Sequence, residues 1–235
     1  MKITYISSSV PRKCGIATYT RDLSDEVDKK STQVSIIAME NPFLPHEYSK
    51  PVVGIIKQEK LSDYKKIALK INSDTTDIVH LQHEFGLFGG DDGEYILTLA
   101  SLLKKPIVVT FHTVLITPTE HQKYIIQELA RLSRFTIVMD EVAKNRLEHV
   151  YGLNPNDSVF ILHGAPIVNM KKDEAKKIIN QSDSFILLAN NLLSRSKGIE
   201  YAIEAVAEAV KMIPNLKFLI VGETHPLVKK SEGES

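Results

Sequence analysis

Four short stretches carry the residue types from which a site could be built. VHLQHEFGLFGG, residues 79–90, sets His80, Gln82, His83 and Glu84 ahead of Gly86, Gly89 and Gly90. A carboxylate beside imidazoles can position an acceptor or bind a metal, and the glycines permit a tight loop. VVTFHTVLITPTE, residues 108–120, sends His112 out of an apolar run, where an imidazole can move a proton near neutral pH or hold a hydroxyl. SSVPRKCGIATYT, residues 8–20, places Gly15 at the mouth of a helix, with N–H groups near Ala17 and Thr18 open to a phosphate or a hydroxyl-rich ligand. LLSRSKGIE, residues 192–200, puts Arg195, Lys197 and Gly198 at a second helix mouth, where cations and the helix dipole together favour an anion.

Each stretch has a bland alternative: core histidines with hydrogen-bond partners, a glycine turn with Arg12 and Lys13 in solvent and Cys14 packed, a charged helix start in water. Several chemistries lack their motif altogether. There is no GxGxxG, GKS or GKT, so neither a dinucleotide fingerprint nor a P-loop is supported; no HExxH supports a metal, and no GxSxG elbow supports a serine hydrolase. Asp140, after TIVM, reads as a helix cap.

The elements that must hold these residues follow from periodicity. Ile3–Ile6, Val34–Ala38, Val52–Ile56, Ile78–Leu81, Ile107–Thr110, Thr136–Val138 and Val159–Leu162 are short β-branched runs that read as strands buried on both faces. Helical patterns fall at Ala17–Lys30, Ser62–Asn72, Glu94–Leu103, Glu120–Leu132 and Glu141–Tyr151, the last with Gly152 as its C-cap. The alternation predicts an α/β fold, a doubly wound parallel sheet with right-handed crossovers. In such a sheet ligands bind beyond the carboxyl ends of the strands, where all but the last of the four stretches begin. The pattern weakens between Ala165 and Ser184, the expected domain boundary. One β-α-β unit follows: Phe185–Ala189, a helix from about Gly198 to Met212, and Phe218–Val221. Two strands cannot cover their own apolar faces, so this second domain, 183–235 after a first of 1–168, is expected to be incomplete. The tail HPLVKKSEGES is polar and aperiodic, and disorder is expected there.

Composition narrows the class. Twenty-nine basic side chains balance twenty-nine acidic ones, which argues against a nucleic-acid partner. One cysteine excludes a disulfide framework and fits a cytoplasmic location. No signal-peptide pattern and no membrane span is read. Lysines at 65, 66, 70, 171, 172, 176 and 177 read as solvated helix faces, with peripheral membrane contact as the lesser alternative.

In this order, VHLQHEFGLFGG, VVTFHT, ILHGAP, LLSRSKGIEYAIEAV and FLIVGETHP resemble the retaining group 1 glycosyltransferases, family four, of GT-B type with two facing Rossmann-like domains. The resemblance runs from Met1 to about Lys230. It implies a transferase passing a hexose with retention from a UDP-, GDP- or ADP-linked donor to a carbohydrate or lipid-linked acceptor, with no cofactor and no metal. By it, Gly15 approaches the donor phosphates or the acceptor, and His112 orients the donor near the reacting sugar. Lys197, with Arg195 and Gly198, holds the diphosphate; Glu84, His83 and Gly86 belong to the acceptor side. Many members carry a glycine-arginine pair where Asn191 and Leu192 stand here, and Arg195 is expected to supply the guanidinium. The family's paired glutamates have no counterpart, so these residues alone are expected to have little or no activity. The alternatives are a noncatalytic acceptor- or partner-binding module, its exposed half-domain covered by another chain or an oligomer, and a hydrolase.

Overall fold

The computed structural model describes residues 1–224 and 228–229. The chain divides into two compact units, Met1–Pro166 and Ile167–Ser235.

The first unit alternates strand and helix: β1 (Lys2–Ser7), α1 (Gly15–Asp28), β2 (Gln33–Glu40), β3 (Val52–Lys57), α2 (Leu61–Ser73), β4 (Ile78–His83), α3 (Tyr95–Leu102), β5 (Ile107–Phe111), α4 (Glu120–Leu132), β6 (Phe135–Val138), α5 (Glu141–His149) and β7 (Ser158–Phe160). Local chemistry sets the helix ends. Thr119 and Gln122 form a reciprocal capping box that starts α4. Asp140 caps α5 as expected, its Oδ1 accepting from the Ala143 N–H at 2.6 Å. Gly152, at φ 70°, ends α5 with its N–H on the Glu148 carbonyl.

The strands form one parallel sheet in the order β3-β2-β1-β4-β5-β6-β7. Chain direction across the sheet therefore reverses between β1 and β4, the place where open α/β sheets bind ligands. The two faces differ. One carries the apolar core: Ile6, Ile37, Met39, Val79, Leu81, Val109 and Phe111 pack with Tyr64 and Ile71 of α2, Leu99 of α3 and Ile126 of α4. On the other, beneath α1, stand Tyr5, Ser7, His80, Gln82 and Thr110, and Ser7 Oγ lies 2.6 Å from Thr20 Oγ1 of α1.

One expectation changes. β3 is an edge strand whose residues alternate, with Val53 and Ile55 48% and 41% exposed, so it is not covered on both faces. The crossover from β2 to β3, residues 41–51, contains no helix.

In the second unit, α6 (Lys172–Ile178) precedes β8 (Phe185–Asn190), α7 (Ile199–Ala209) and β9 (Leu216–Val221), and β8 pairs with β9 in parallel. Among its described residues no hydrophobic side chain is buried, and Phe185, Leu187, Leu188, Ile203, Ile220 and Val221 are exposed. Residues 225–227 and 230–235, which hold most of the tail expected to be disordered, lie outside the described residues. Among the described residues no helix is long and apolar enough to cross a membrane.

One buried hydroxyl ties the helical layer to the loop that leaves β4. Tyr64 Oη donates to the Gln58 carbonyl at 2.8 Å and accepts from the Gly89 N–H at 2.9 Å. Any Cβ on residue 89 would stand 2.0 Å from the Gln58 oxygen, so the loop passes there only as glycine. Tyr64→Phe keeps the packed ring but strands a buried donor and acceptor. We expect it to lower the unfolding free energy by about 1–3 kcal/mol, measured by urea titration; no loss would show that water replaces the hydroxyl.

Candidate functional site

β4 and β5 pair in register from Val79–Ile107 to His83–Phe111, and the ladder gains one more bond where the His112 N–H donates to the His83 carbonyl at 2.9 Å. Period two then sorts the side chains. His80 and Gln82 face the α1 side: His80 Nε2 lies 2.8 Å from Thr110 Oγ1, and His112 Nε2 lies 2.8 Å from Gln82 Oε1. The imidazole of His112 donates to that amide oxygen, which leaves Nδ1 with its lone pair. The Tyr19 ring of α1 meets the His112 ring edge-on at 5.0 Å and the His163 ring at 4.9 Å.

Just past β4, Glu84 takes two bonds, from the Phe85 N–H on Oε1 and from the Thr113 hydroxyl on Oε2. A carboxylate held this way is fixed as an acceptor. Gly86 is exposed two residues on, at ordinary φ, with no atom within 4 Å of where a Cβ would stand. Gly15, the first residue of α1 and likewise exposed, has the same open space. Neither glycine is required by the packing, so the room beside each is available to a ligand at the ends of the two strands that flank the switch point. The Thr18 N–H donates to the Cys14 carbonyl, so the open N–H groups of α1 are those of Gly15–Ala17 and not of Thr18.

His83, expected on the acceptor side, lies on the core face instead. It is 0% exposed among the rings of Phe85, Phe88 and Phe111, and neither ring nitrogen has a partner. No ligand reaches it in this conformation. The strand continues two residues beyond the Ile78–Leu81 run, and this extension is what turns His83 inward.

Beside His112, a cleft of about 360 Å³ opens between the segment after β5 and the start of α5, lined by His112, Thr113, Leu115, Ile116, Asp140 and Arg146 among others. Sequence reasoning did not single out Thr113, Tyr19 or Arg146; Thr113 sits next to His112 in the chain, but its bond to Glu84 depends on the β4–β5 register. Among the described residues no group of three or more His, Cys, Asp or Glu side chains gathers as a metal site.

In the second unit, Arg195–Lys197 forms one 3₁₀ turn and Gly198, at φ 61°, is the N-cap of α7. Both cations are exposed at this helix mouth, and the left-handed backbone at 198 is one that glycine adopts without strain.

Burial sets the protonation of His80, His83 and His112. It pushes His80 and His112 down to about 4 and His83 to about 3, with neighbouring imidazoles adding to the effect. All three are neutral at pH 7. In the unfolded chain they take up protons below about 6.5 while the folded chain does not. Stability contributed by their neutral burial is therefore full above about pH 6.5 and falls as pH drops toward 4. Each tenfold difference in proton affinity between the two states is worth about 1.4 kcal/mol at the acid end. Urea midpoints measured from pH 7 to 4.5 are expected to fall, and to fall less in His83→Phe, whose ring fits the aromatic cage; equal slopes would contradict the assignment.

Comparison with known proteins bears on what this arrangement is. A family model described as Glycosyltransferase Family 4 matches residues 14–167. No curated protein matches the sequence at a significant level. Among solved structures, HepE of Anabaena in complex with UDP is similar with a TM-score of 0.65 at 13% identity, over 98% of this chain and 63% of that one. A glycosyltransferase from Rickettsia africae gives 0.64 at 13%, over 100% and 71%. HepE in complex with UDP and glucose gives 0.58 at 11%, over 94% and 69%. The chain thus spans between 63% and 71% of the length of these structures, and at such identities the likeness is one of fold. The parallel sheet that reverses at β1 and β4 is the GT-B type of Rossmann-like domain, and with the family model covering residues 14–167 the chain belongs to glycosyltransferase family 4.

Proposed function

We propose that the chain carries the acceptor domain and the opening of the donor domain of a retaining, group 1 glycosyltransferase that moves a hexose from a nucleotide sugar. The observation that carries this reading is the topology: Glu84, Gly86 and His112 follow the carboxyl ends of β4 and β5, and Gly15 opens the helix after β1, around the switch point of a family 4 sheet. UDP is the nucleotide in the HepE structures, which makes a UDP-sugar the first donor to try.

Roles follow from the chemistry of each group. Neutral His112, with its N–H spent on Gln82, accepts a hydroxyl hydrogen bond through Nδ1 and so orients the sugar; it is not the nucleophile. Glu84 and the open space at Gly86 serve the acceptor. Arg195, Lys197 and the N–H groups after Gly198 stabilise the diphosphate as negative charge develops on the leaving group. Acceptor chemistry is a carbohydrate or a lipid-linked carbohydrate. A second reading, a binding module covered by another chain, is favoured by the exposed apolar residues of β8, α7 and β9.

Calorimetric titration of the chain with UDP, UDP-glucose and the GDP and ADP equivalents tests the proposal. Binding of one of these is expected. Lys197→Ala should weaken that binding roughly ten- to a hundredfold, since a charged hydrogen bond is worth about 1.5–3 kcal/mol. Lys211→Ala, which removes a lysine paired with Glu208, should leave it unchanged. Equal affinity in Lys197→Ala and the parent chain would remove the lysine from the diphosphate site, and no binding of any nucleotide sugar would sink the donor assignment.

A further inference from the structure

The segment between β5 and α4, residues 112–119, has no regular secondary structure, yet its first four residues are each gripped by a side chain from elsewhere. Gln82 of β4 takes the His112 ring at 2.8 Å, and Glu84 takes the Thr113 hydroxyl. Arg146 of α5 donates from Nη1 to the Val114 carbonyl at 2.9 Å, and Tyr151, just past α5, donates from Oη to the Leu115 carbonyl at 3.2 Å. Tyr151 is itself immobilised: it is 0% exposed, and its own carbonyl accepts from Gln127 Nε2 of α4 at 2.7 Å. The grips stop there, and Ile116 is 65% exposed.

Such an arrangement has a physical purpose. An irregular strand-to-helix connection leaves several residues' φ and ψ free, and ordering them costs roughly 1–2 kcal/mol per residue unless partners are fixed in advance. The β4 grips hold side chains, and the α5 grips hold backbone; neither pair alone fixes both. We infer that Arg146 and Tyr151 are positioning residues for His112: by holding the carbonyls two and three residues after it, they keep the imidazole set against Gln82 and Tyr19. This rests on the role given to His112 above, and neither residue touches the reacting atoms in it. A guanidinium suits the task because it offers its donors in a fixed plane.

The test reads His112 itself, without substrate. The full chain is labelled at its histidine rings and followed by NMR from pH 7.5 to 4, alongside Arg146→Met, Tyr151→Phe and Arg146→Lys. In the parent chain His112 is expected to show one neutral tautomer and to resist protonation down to about pH 4. In Arg146→Met and in Tyr151→Phe the loosened segment admits water, so the His112 midpoint should rise by about one pH unit or more and the tautomers should mix. Arg146→Lys, which keeps a cationic donor, should stay close to the parent. Tyr151→Phe retains the buried ring and keeps the test valid where Arg146→Met folds poorly. Unchanged His112 midpoint and tautomer in both variants, whatever happens to thermal stability, would overturn the inference. Because no ligand is present, this result is separate from the nucleotide-sugar titrations, which decide the functional reading on their own.

Discussion

The parallel pairing of β4 with β5 is the constraint on which the site depends. Register alone brings Gln82 beside Thr110 and His83 beside Phe111, and the bond from the His112 N–H to the His83 carbonyl carries that register one step past the last pair. From this follow the Gln82–His112 and Glu84–Thr113 contacts, which join residues 29 and 30 positions apart in the chain. A slip of β4 by one residue would turn Val79 and Leu81 to the polar face and bring His80 and Gln82 into the core. Leu81 and Val109 are both 0% exposed in the apolar layer, so the core that stabilises the sheet also selects the only register in which the site exists.

The same sheet divides its labour between faces. Toward α2, α3 and α4 it is an apolar core flanked by the paired hydroxyls Thr4–Ser35 and Thr136–Ser158; His83 in its midst has orphaned nitrogens that cost stability the surrounding rings must offset. Toward α1 the strands carry hydroxyls, an amide and imidazoles that pair with one another, as in Ser7–Thr20 and His80–Thr110, while Gln82 Nε2 has no partner. Parallel sheets are usually apolar on both faces. The departure lies under one helix and at one edge, and its polar groups are preorganised before any ligand arrives, which is the condition under which fixed dipoles are most effective.

The sequence announced the architecture because β-branched runs and 3.6-residue periods are local signals. All seven strands and five helices of the first unit fall where the periodicity puts them, α4 at Glu120–Leu132 and α5 starting at Glu141 among them. What periodicity cannot supply is the length of a strand past its apolar run or the identity of its neighbour. Hence His83, expected on the acceptor side, is buried where β4 runs on, β3 lies at an edge with one face uncovered, and the Thr18 N–H is already used by the turn at Cys14. Thr113, Arg146 and Tyr151 carry no motif, since their partners Glu84, Val114 and Leu115 lie 29 to 36 residues away. The positions of Glu84, Gly86 and His112 just past β4 and β5, and of Gly15 at the start of α1, are legible because each stands next to a glycine loop or an apolar run.

On the proposed reading, the first unit meets the sugar of the donor at the carboxyl edge of its sheet, around the β1–β4 switch. Amide NMR of the labelled chain during addition of UDP-glucose measures this most directly. In the first unit, perturbed resonances are expected to cluster at residues 14–19 and 110–115, with the opposite edge near Lys2, Gln33 and Ile78 silent. Perturbation centred on that opposite edge, or a first unit left unmoved while the nucleotide sugar saturates the chain, would contradict it.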